Sequence, residues 1–483
     1  MSATGRDLRD FLKVLETERE LVRVRTQVDW NLEAGAISRL ACERQAPAPL
    51  FENVKDYPGQ QLAAVLLGPG RPMHARLALA LGLENKAASV RQLIDQVKEG
   101  LRQRRRPVQV ERRSAPCKEV VVPGAEANLL NYPIPWIKSV DGGRYIGTWN
   151  IVVVKDPESQ WVNWATYRCM LRDEQSFTVL LLPDAQHGGH IFGKYEAAGK
   201  PMPIALVIGA HPAAHLAAIT SLEHGVSEAE VAGGYLGEGV PLVKCETNDL
   251  EVPANAEMVI EAEILPGVRA DEGPFGEYTG HVGHGSKAGL ARVTCVTHRR
   301  NPIHTMANMG KPHDDAAIPQ SILLSAVAEE RLKRHGIAVK AVYYHTPQVA
   351  PAIAVKPEPG VHQRILGVLL TSPRMAQHGA IFVDEDVDVT DLQEVFWAMS
   401  TRMHAKSYQV IDNAMANPLN PALTPEDRQS LQTGFWVVNA WLPYTWSAEY
   451  RHAYTQVADF ANSWPEDLKR KVLERWHDYG YER

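Results

Sequence analysis

Between about residues 126 and 310 the apolar residues recur with a period of two, and glycine or proline punctuates every gap. Side chains alternate faces only along a strand, so this stretch is committed to sheet. Ile151–Lys155 and Trp161–Met170 flank the turn composition Asp156-Pro157-Glu158-Ser159, which predicts two strands. Val179–Leu182, Ile204–Ile208, Met258–Ile264 and Leu290–Thr297 continue the pattern. A middle region of this kind reads as a β-barrel with a few helices inserted.

The flanks follow a different period. Leu8, Phe11, Leu12 and Leu15 share one helical face, and Leu21–Val28 is strand-like. Ser89 and Gln92 have capping-box spacing ahead of Val90, Ile94, Val97 and Leu101, which predicts a helix over about 89–101. Its Arg-Gln-Arg-Arg-Arg-Pro exit at 102–107 reads as a solvated helix end, and a domain edge is placed at about 107–125. Past 310, a helix at about 319–335 ends at Gly336, followed by strands at Val339–Tyr344, Ala352–Val355 and Ile381–Val383. Thr390 and Gln393 form another capping-box pair, with Leu392, Val395, Phe396 and Met399 on one face. That alternation predicts a small parallel sheet, and Pro465 opens a last helix at about 465–477. The expected division is an N-terminal α/β part over 1–125, a β-barrel over 126–310 and a C-terminal α/β part over 311–483.

Composition narrows the function. Of 483 residues, 51 are Lys or Arg and 57 are Asp or Glu, a formal charge of −6 that argues against nucleic-acid binding. With 45% apolar and 22% charged residues the chain is globular, neither disordered nor coiled coil. No apolar run approaches the ~18 residues of a membrane helix, and the first residues lack the apolar core of a signal peptide. Five cysteines without a CxxC pair fit a reducing, cytoplasmic setting, each as a small buried residue. There is no GxxxxGK[ST], HExxH or GxSxG, and Gly283-His284-Gly285 does not continue as a dinucleotide fingerprint.

Three constellations remain. Glu272-Gly-Pro-Phe-Gly-Glu277 puts two carboxylates around a chain reversal; close together they raise one pKa and offer a general acid, whereas apart they are surface acids on a turn. Trp161-Val-Asn163-Trp-Ala-Thr-Tyr167-Arg168 places a guanidinium among aromatics, where it needs an anionic partner. That partner is Glu272, Glu277 or a substrate carboxylate. Asn163, His187 and Glu228 carry donors suited to Mg²⁺ or Mn²⁺, but at spacings that also suit plain structural residues; His190, or His281 with His284, serve equally on composition.

Taken in order, these segments resemble the UbiD-like family of prenylated-FMN-dependent decarboxylases. The resemblance rests on Trp161–Arg168, Gln186-His187, Gly225-Val-Ser-Glu228-Ala, Glu272–Glu277, Val383-Asp-Glu-Asp-Val-Asp388 and Trp397-Ala-Met-Ser-Thr-Arg402. The ending, Trp464-Pro-Glu-Asp-Leu-Lys with Arg475-Trp476 and Tyr479-Gly480, is similar to the ferulic acid and pyrrole-2-carboxylate decarboxylase branch. The family implies an α/β chain with a central, flavin-reductase-like split β-barrel and a C-terminal α/β domain that assembles homodimers or homohexamers. It implies reversible, non-oxidative decarboxylation of an aromatic, heteroaromatic or α,β-unsaturated acid.

By the same resemblance, Asn163, His187 and Glu228 hold a Mn²⁺ that also grips the flavin phosphate. It leaves open a monovalent ion, K⁺ or Na⁺, beside it. Asn163, Trp164, Ala165, Thr166, Tyr167, Arg168, Gln186, His187 and Glu228 line the cofactor. Arg168, Glu272 and Glu277 are the implied catalytic set, with Arg168 on the substrate carboxylate and Glu277 the proton donor. A flavin prenyltransferase is the implied cofactor supplier.

The chain departs from the cinnamate-type branch near Ser372, where a Lys is expected and Arg374 is the nearest substitute, and near Ala316–Ala317, where a His is expected. Tyr167 and Met403-His404 are closer to relatives acting on hydroxybenzoates. Two rival readings carry different outcomes: a non-catalytic flavin or metal carrier releases no CO₂, and a flavin reductase oxidises NAD(P)H.

Overall fold

The structure, a computed structural model, describes residues 7–183, 185–346, 350–371, 375 and 378–481. Ser372 and Arg374 lie outside the described residues. At the N-terminus, Asp7 caps the helix Leu8–Thr17, which buries Leu8, Phe11, Leu12 and Leu15 as its periodicity requires. The strand after it stops at Val24 and does not run to Val28. It joins Ala48–Phe51, Gln61–Ala64 and, from far along the chain, Ile303–Met306, which lies parallel to Gln61–Ala64. The helix Val90–Arg102 carries the full Ser89/Gln92 capping box, but Leu93 replaces Val90 and Leu101 on the fully buried face.

The middle of the chain builds a nine-stranded sheet that curls into a half-barrel. Its path is Tyr145–Gly147, Cys169–Asp173, Ser176–Val179, Ser286–His298, Met258–Glu272, Met202–Ile208, Asn150–Lys155 and Val162–Ala165, with Val120–Pro123 added on Ser286–His298. Two differences from the sequence pattern matter for the site. Trp161–Met170 is not one strand: Val162–Ala165 pairs with Asn150–Lys155, whereas Cys169–Asp173 pairs with strands across the sheet. The break at 166–168 is held by Thr166 Oγ1 donating to the Asn150 carbonyl (2.8 Å) and Asn150 Nδ2 donating to the Tyr167 carbonyl (3.2 Å). Arg168 therefore leaves the sheet rather than lying within a strand. The other difference is length. The register between Met258–Glu272 and Ser286–His298 shifts between Ile264 and Arg269, and pairing then resumes as far as Glu272 with Ser286.

The C-terminal part has a five-stranded sheet in the order Ala341–Tyr343, Ala352–Ala354, Gly379–Val383, Gln432–Ala440, Tyr408–Met415. Only its three middle strands are parallel; both edge strands run antiparallel, so the parallel expectation holds for the centre alone. The helix Ala317–Arg334 ends just before Gly336, whose φ of +69° needs a glycine. In the helix Leu392–Arg402 the cap is Asp391, not Thr390. Val395, Ala398 and Arg402 face inward, while Leu392 and Phe396 are 47% and 57% exposed. Half of the expected apolar face, Leu392 and Phe396, is thus turned outward while Val395 and Met399 stay against the core, with Arg402 reaching inward to Asp386 (2.6 and 2.7 Å) and Asp384 (2.9 Å). The last helix is shorter than expected, Glu466–Glu474, with Pro465 as its cap. All five cysteines are buried and unpaired, as expected, and burial pushes their thiols upward, Cys295 to about 11. Among the described residues no helix is long and apolar enough to cross a membrane.

Candidate active site

The two carboxylates of 272–277 meet on one guanidinium. Gly273, at φ +77°, turns the chain out of the long strand, and Phe275–Gly276 then pairs with Val282–Gly283. Arg168 Nη2 donates to Glu272 Oε2 at 2.5 Å and Nη1 to Glu277 Oε1. Both acids are buried, at 1% and 6% exposure, so the surface-turn reading of this motif is excluded. Burial opposes the Arg168 charge, but Glu277 and Glu272 outweigh it and hold its pKa up. Burial also pushes Glu277 above the usual carboxylate range; Arg168 pulls the other way, and the Glu272 charge adds to the rise.

Several groups at this cluster carry no motif. Tyr145 OH donates to Glu272 Oε1 at 2.8 Å. The Arg168 guanidinium lies over the Phe275 ring, 5.1 Å from its centroid. Asp141 Oδ1 accepts from the Gly276 N–H at 2.9 Å, fixing the reversal from the opposite loop. A Cβ on Gly142 would fall 2.0 Å from the Gly273 carbonyl oxygen, so only glycine allows the two loops to close on each other. Tyr145 lies outside every motif of the sequence and Phe275 is the variable position of the reversal, so neither is marked as a site residue; the DGG run at 141–143 is the one available signal of a tight loop.

A second cluster lies at the other end of the 163–168 segment. Glu228 opens the helix Glu228–Leu236 behind its Ser227 cap and is 3% exposed. Asn163 Nδ2 donates to Glu228 Oε1 and the Trp164 N–H donates to Oε2, both at 3.0 Å. No charged donor reaches this carboxylate among the described residues, and burial pushes its pKa to about 7. Tyr167 OH donates to Asn163 Oδ1 (3.2 Å) and accepts from the Gly188 N–H (2.9 Å), which ties in the start of the helix His187–Ala197. His187 sits edge-on to Trp161, with ring centroids 5.1 Å apart. Gln186 precedes it, its Oε1 accepting from the Leu182 N–H at 2.9 Å.

Asn163 and Glu228 are thus in direct contact, with His187 joined through Tyr167 and Gly188. One amide oxygen, one imidazole and one uncompensated buried carboxylate make a donor set that fits a divalent cation. Among the described residues no three His, Cys, Asp or Glu side chains cluster as a metal site; this set has two, and an asparagine supplies the third donor. His190, His281 and His284 are exposed. Ala316 and Ala317 lie where Asp314 caps the helix Ala317–Arg334, Asp314 Oδ1 accepting from both N–H groups.

The family of the chain follows from its similarity to known proteins. Three models of the 3-octaprenyl-4-hydroxybenzoate carboxy-lyase family match in chain order: the N-terminal domain over residues 12–97, the Rift-related domain over 108–312 and the C-terminal domain over 317–440. The chain belongs to the UbiD family. It is 33% identical over 500 residues to the pyrrole-2-carboxylic acid decarboxylase of Pseudomonas aeruginosa, covering 100% of this chain and 99% of the relative. It is 32% identical over 503 residues to ferulic acid decarboxylase 1 of Saccharomyces cerevisiae, covering 98% of each. The solved structure of an evolved dimeric form of the UbiD-class enzyme HmfF from Pelotomaculum thermopropionicum, in complex with prFMN, superposes with a TM-score of 0.78 at 30% identity, over 92% of this chain and 96% of that one.

Proposed function

We propose that this chain is a carboxy-lyase that decarboxylates an aromatic or heteroaromatic acid, reversibly and without net oxidation, on a prenylated flavin. The observation that carries the reading is the buried Arg168 held between Glu272 and Glu277. Its relatives' activities and the prFMN-bound neighbour support it. Asn163, Trp164, Ala165, Thr166, Tyr167, Gln186, His187 and Glu228 hold the cofactor in this proposal, with Mn²⁺ on Asn163, His187 and Glu228. The flavin, when bound, supplies the electron sink for the carbanion left as CO₂ departs. Arg168 orients the substrate carboxylate. Glu277, whose pKa burial raises against the pull of Arg168, delivers the proton that replaces CO₂, and takes it back in carboxylation. Phe275, Gly276 and the closed loop at Gly142 keep water from that proton.

The three-part division is proposed at 1–125, 126–310 and 311–483, the middle part being a flavin-reductase-like split barrel; the family-model boundaries support it. A homodimer or homohexamer is proposed through the C-terminal part, where Phe396, Met415, Tyr454 and Leu473 are exposed. A cytoplasmic site, with a flavin prenyltransferase as cofactor supplier, completes the proposal. The test is Glu277→Gln in protein co-expressed with such an enzyme. The variant is expected to retain flavin and manganese, read by mass spectrometry and metal analysis, and to release no CO₂. Undiminished turnover overturns the proton-donor role, and an empty or plain-FMN site overturns the cofactor assignment.

A further inference from the structure

Lys138 belongs to no motif, yet its side chain reaches the catalytic cluster. Its stem runs beside Gly276: a Cβ there would fall 2.8 Å from Cδ and Cε and 3.0 Å from Nζ. Its Nζ lies over the Phe275 ring, 5.4 Å from the centroid, and the Arg168 guanidinium lies over the same ring at 5.1 Å. Two cations therefore share one aromatic ring two residues before Glu277. Arg168 has two carboxylates, whereas Lys138 Nζ is buried with no hydrogen-bond partner among the described residues. The nearby acids face elsewhere. Asp141 accepts from the backbone N–H groups of Gly276 (2.9 Å) and Lys138 (3.1 Å), and Glu277 accepts from Arg168.

Arg39 is a second, half-buried cation in this region, already bound through its other nitrogens to Glu43 Oε1 (Nε, 3.1 Å) and the His313 carbonyl (Nη2, 3.3 Å). Arg39 Nη1 forms no hydrogen bond, its nearest carboxylate oxygen being Asp314 Oδ2 at 3.9 Å. Arg39 packs on Gly310, and Lys311 packs on Gly280, three residues past Glu277. Burial lowers the Lys138 pKa, and the Arg39 charge lowers it further, while Asp141, Asp314 and Glu277 act the other way. A desolvated ammonium without an acceptor is costly to keep, and a bound acceptor removes that cost.

We propose that Lys138, backed by Arg39, forms a subsite for an anionic oxygen on the substrate ring, remote from the carboxylate held by Arg168. The oxygen belongs to a phenolate or to a second carboxylate, and Lys138 sets the preference for acids that carry one. This rests on the decarboxylase reading above.

The test compares wild-type, Lys138→Met and Lys138→Arg holoenzymes on matched aromatic acids: unsubstituted, hydroxylated, and bearing a second carboxylate. CO₂ release gives kcat/KM, and calorimetry gives Kd. In Lys138→Met the ratio of kcat/KM for the better substituted acid over the unsubstituted acid is expected to fall about 30-fold, the Kd ratio moving with it, and Lys138→Arg to recover part of both. Whichever substituent loses its advantage identifies the oxygen. Unchanged ratios, or equal loss on all three acids, overturn the proposal. If wild-type releases CO₂ from none of them, the decarboxylase reading fails separately, and the Kd ratios still decide for or against Lys138. Should Lys138→Met not fold, Lys138→Gln, which removes the charge and keeps most of the stem, must produce the same selective loss; without it the proposal falls.

Discussion

One segment, Asn163–Arg168, serves two buried carboxylate sites that solve the same problem in opposite ways. At its C-terminal end Glu272 and Glu277 share the Arg168 guanidinium, so most of the charge is balanced inside the protein. At its N-terminal end Glu228 receives only uncharged N–H donors and is left with a pKa of about 7. The first cluster is complete as folded, and in the proposed function its arginine takes a substrate carboxylate in exchange. The second is not balanced internally, which is what motivates the cation proposed there. A carboxylate that carries its own counter-charge is placed for chemistry, whereas one that lacks it is placed for binding.

The sharpest way to break this contrast is to remove the counter-charge. Arg168→Met strands two carboxylates in an apolar setting, and losing one partner of a buried pair costs about 3–5 kcal/mol. The variant is expected to melt well below wild-type and to lose at least about 1,000-fold in kcat/KM, since the group that orients the substrate goes with the charge. Glu228→Gln removes a buried charge that has no counter-charge, so at neutral pH the metal-free variant should melt no lower than wild-type. If thermal melts show Arg168→Met and Glu228→Gln equally stable, the two sites are not different in kind.

The pH dependence of metal binding tests the second site directly. Burial pushes the pKa of folded Glu228 to about 7, against 4.5 for an ordinary glutamate. The metal-free fold therefore loses stability as pH climbs through that window, by roughly 3 kcal/mol in all, and loses nothing more from this group above it. A cation competes with that proton. Added Mn²⁺ is expected to raise the melting temperature little at pH 5 and markedly at pH 8, and Glu228→Gln to abolish the difference. A manganese shift independent of pH would show that Glu228 is not a ligand.

How much of this was legible in the sequence follows from what each signal encodes. The reversal at 272–277 was readable because Gly-Pro-x-Gly encodes it locally, and the need of Arg168 for an anion because a cation among aromatics demands one, whereas the residues left open whether the two acids converge and only the family resemblance pointed to it. The Ser89/Gln92 cap and the Leu8–Leu15 face were readable for the same local reason. What failed depended on distant partners. The break at 166–168 exists because the next strand pairs across the sheet, and the run from Ile264 to Glu272 crosses a register shift that no alternation survives. Leu392 and Phe396 point outward while Arg402, three residues past Met399, is anchored inward to Asp384 and Asp386. Tyr145 and Lys138 act at the site through single atoms, and nothing in a strand or loop pattern marks a single atom.

Tyr145 also supplies the finest test of the comparison. Its hydroxyl donates to Glu272 Oε1, the oxygen that Arg168 does not take, and burial first, then the Glu272 charge, pushes its own pKa up. It therefore donates and never competes for the proton. In Tyr145→Phe the Glu272 carboxylate keeps its guanidinium and loses one neutral donor, and a hydrogen bond to a charged group is worth about 1.5–3 kcal/mol. Part of that is recovered by Arg168, so the expected loss is about tenfold in kcat/KM, with flavin and manganese content unchanged. A site already balanced by an internal cation should tolerate the loss of a neutral donor at this modest level. A loss as large as that of Arg168→Met would mean that the tyrosine, and not the arginine, holds Glu272 in place, and the self-sufficiency of the first cluster would have to be given up.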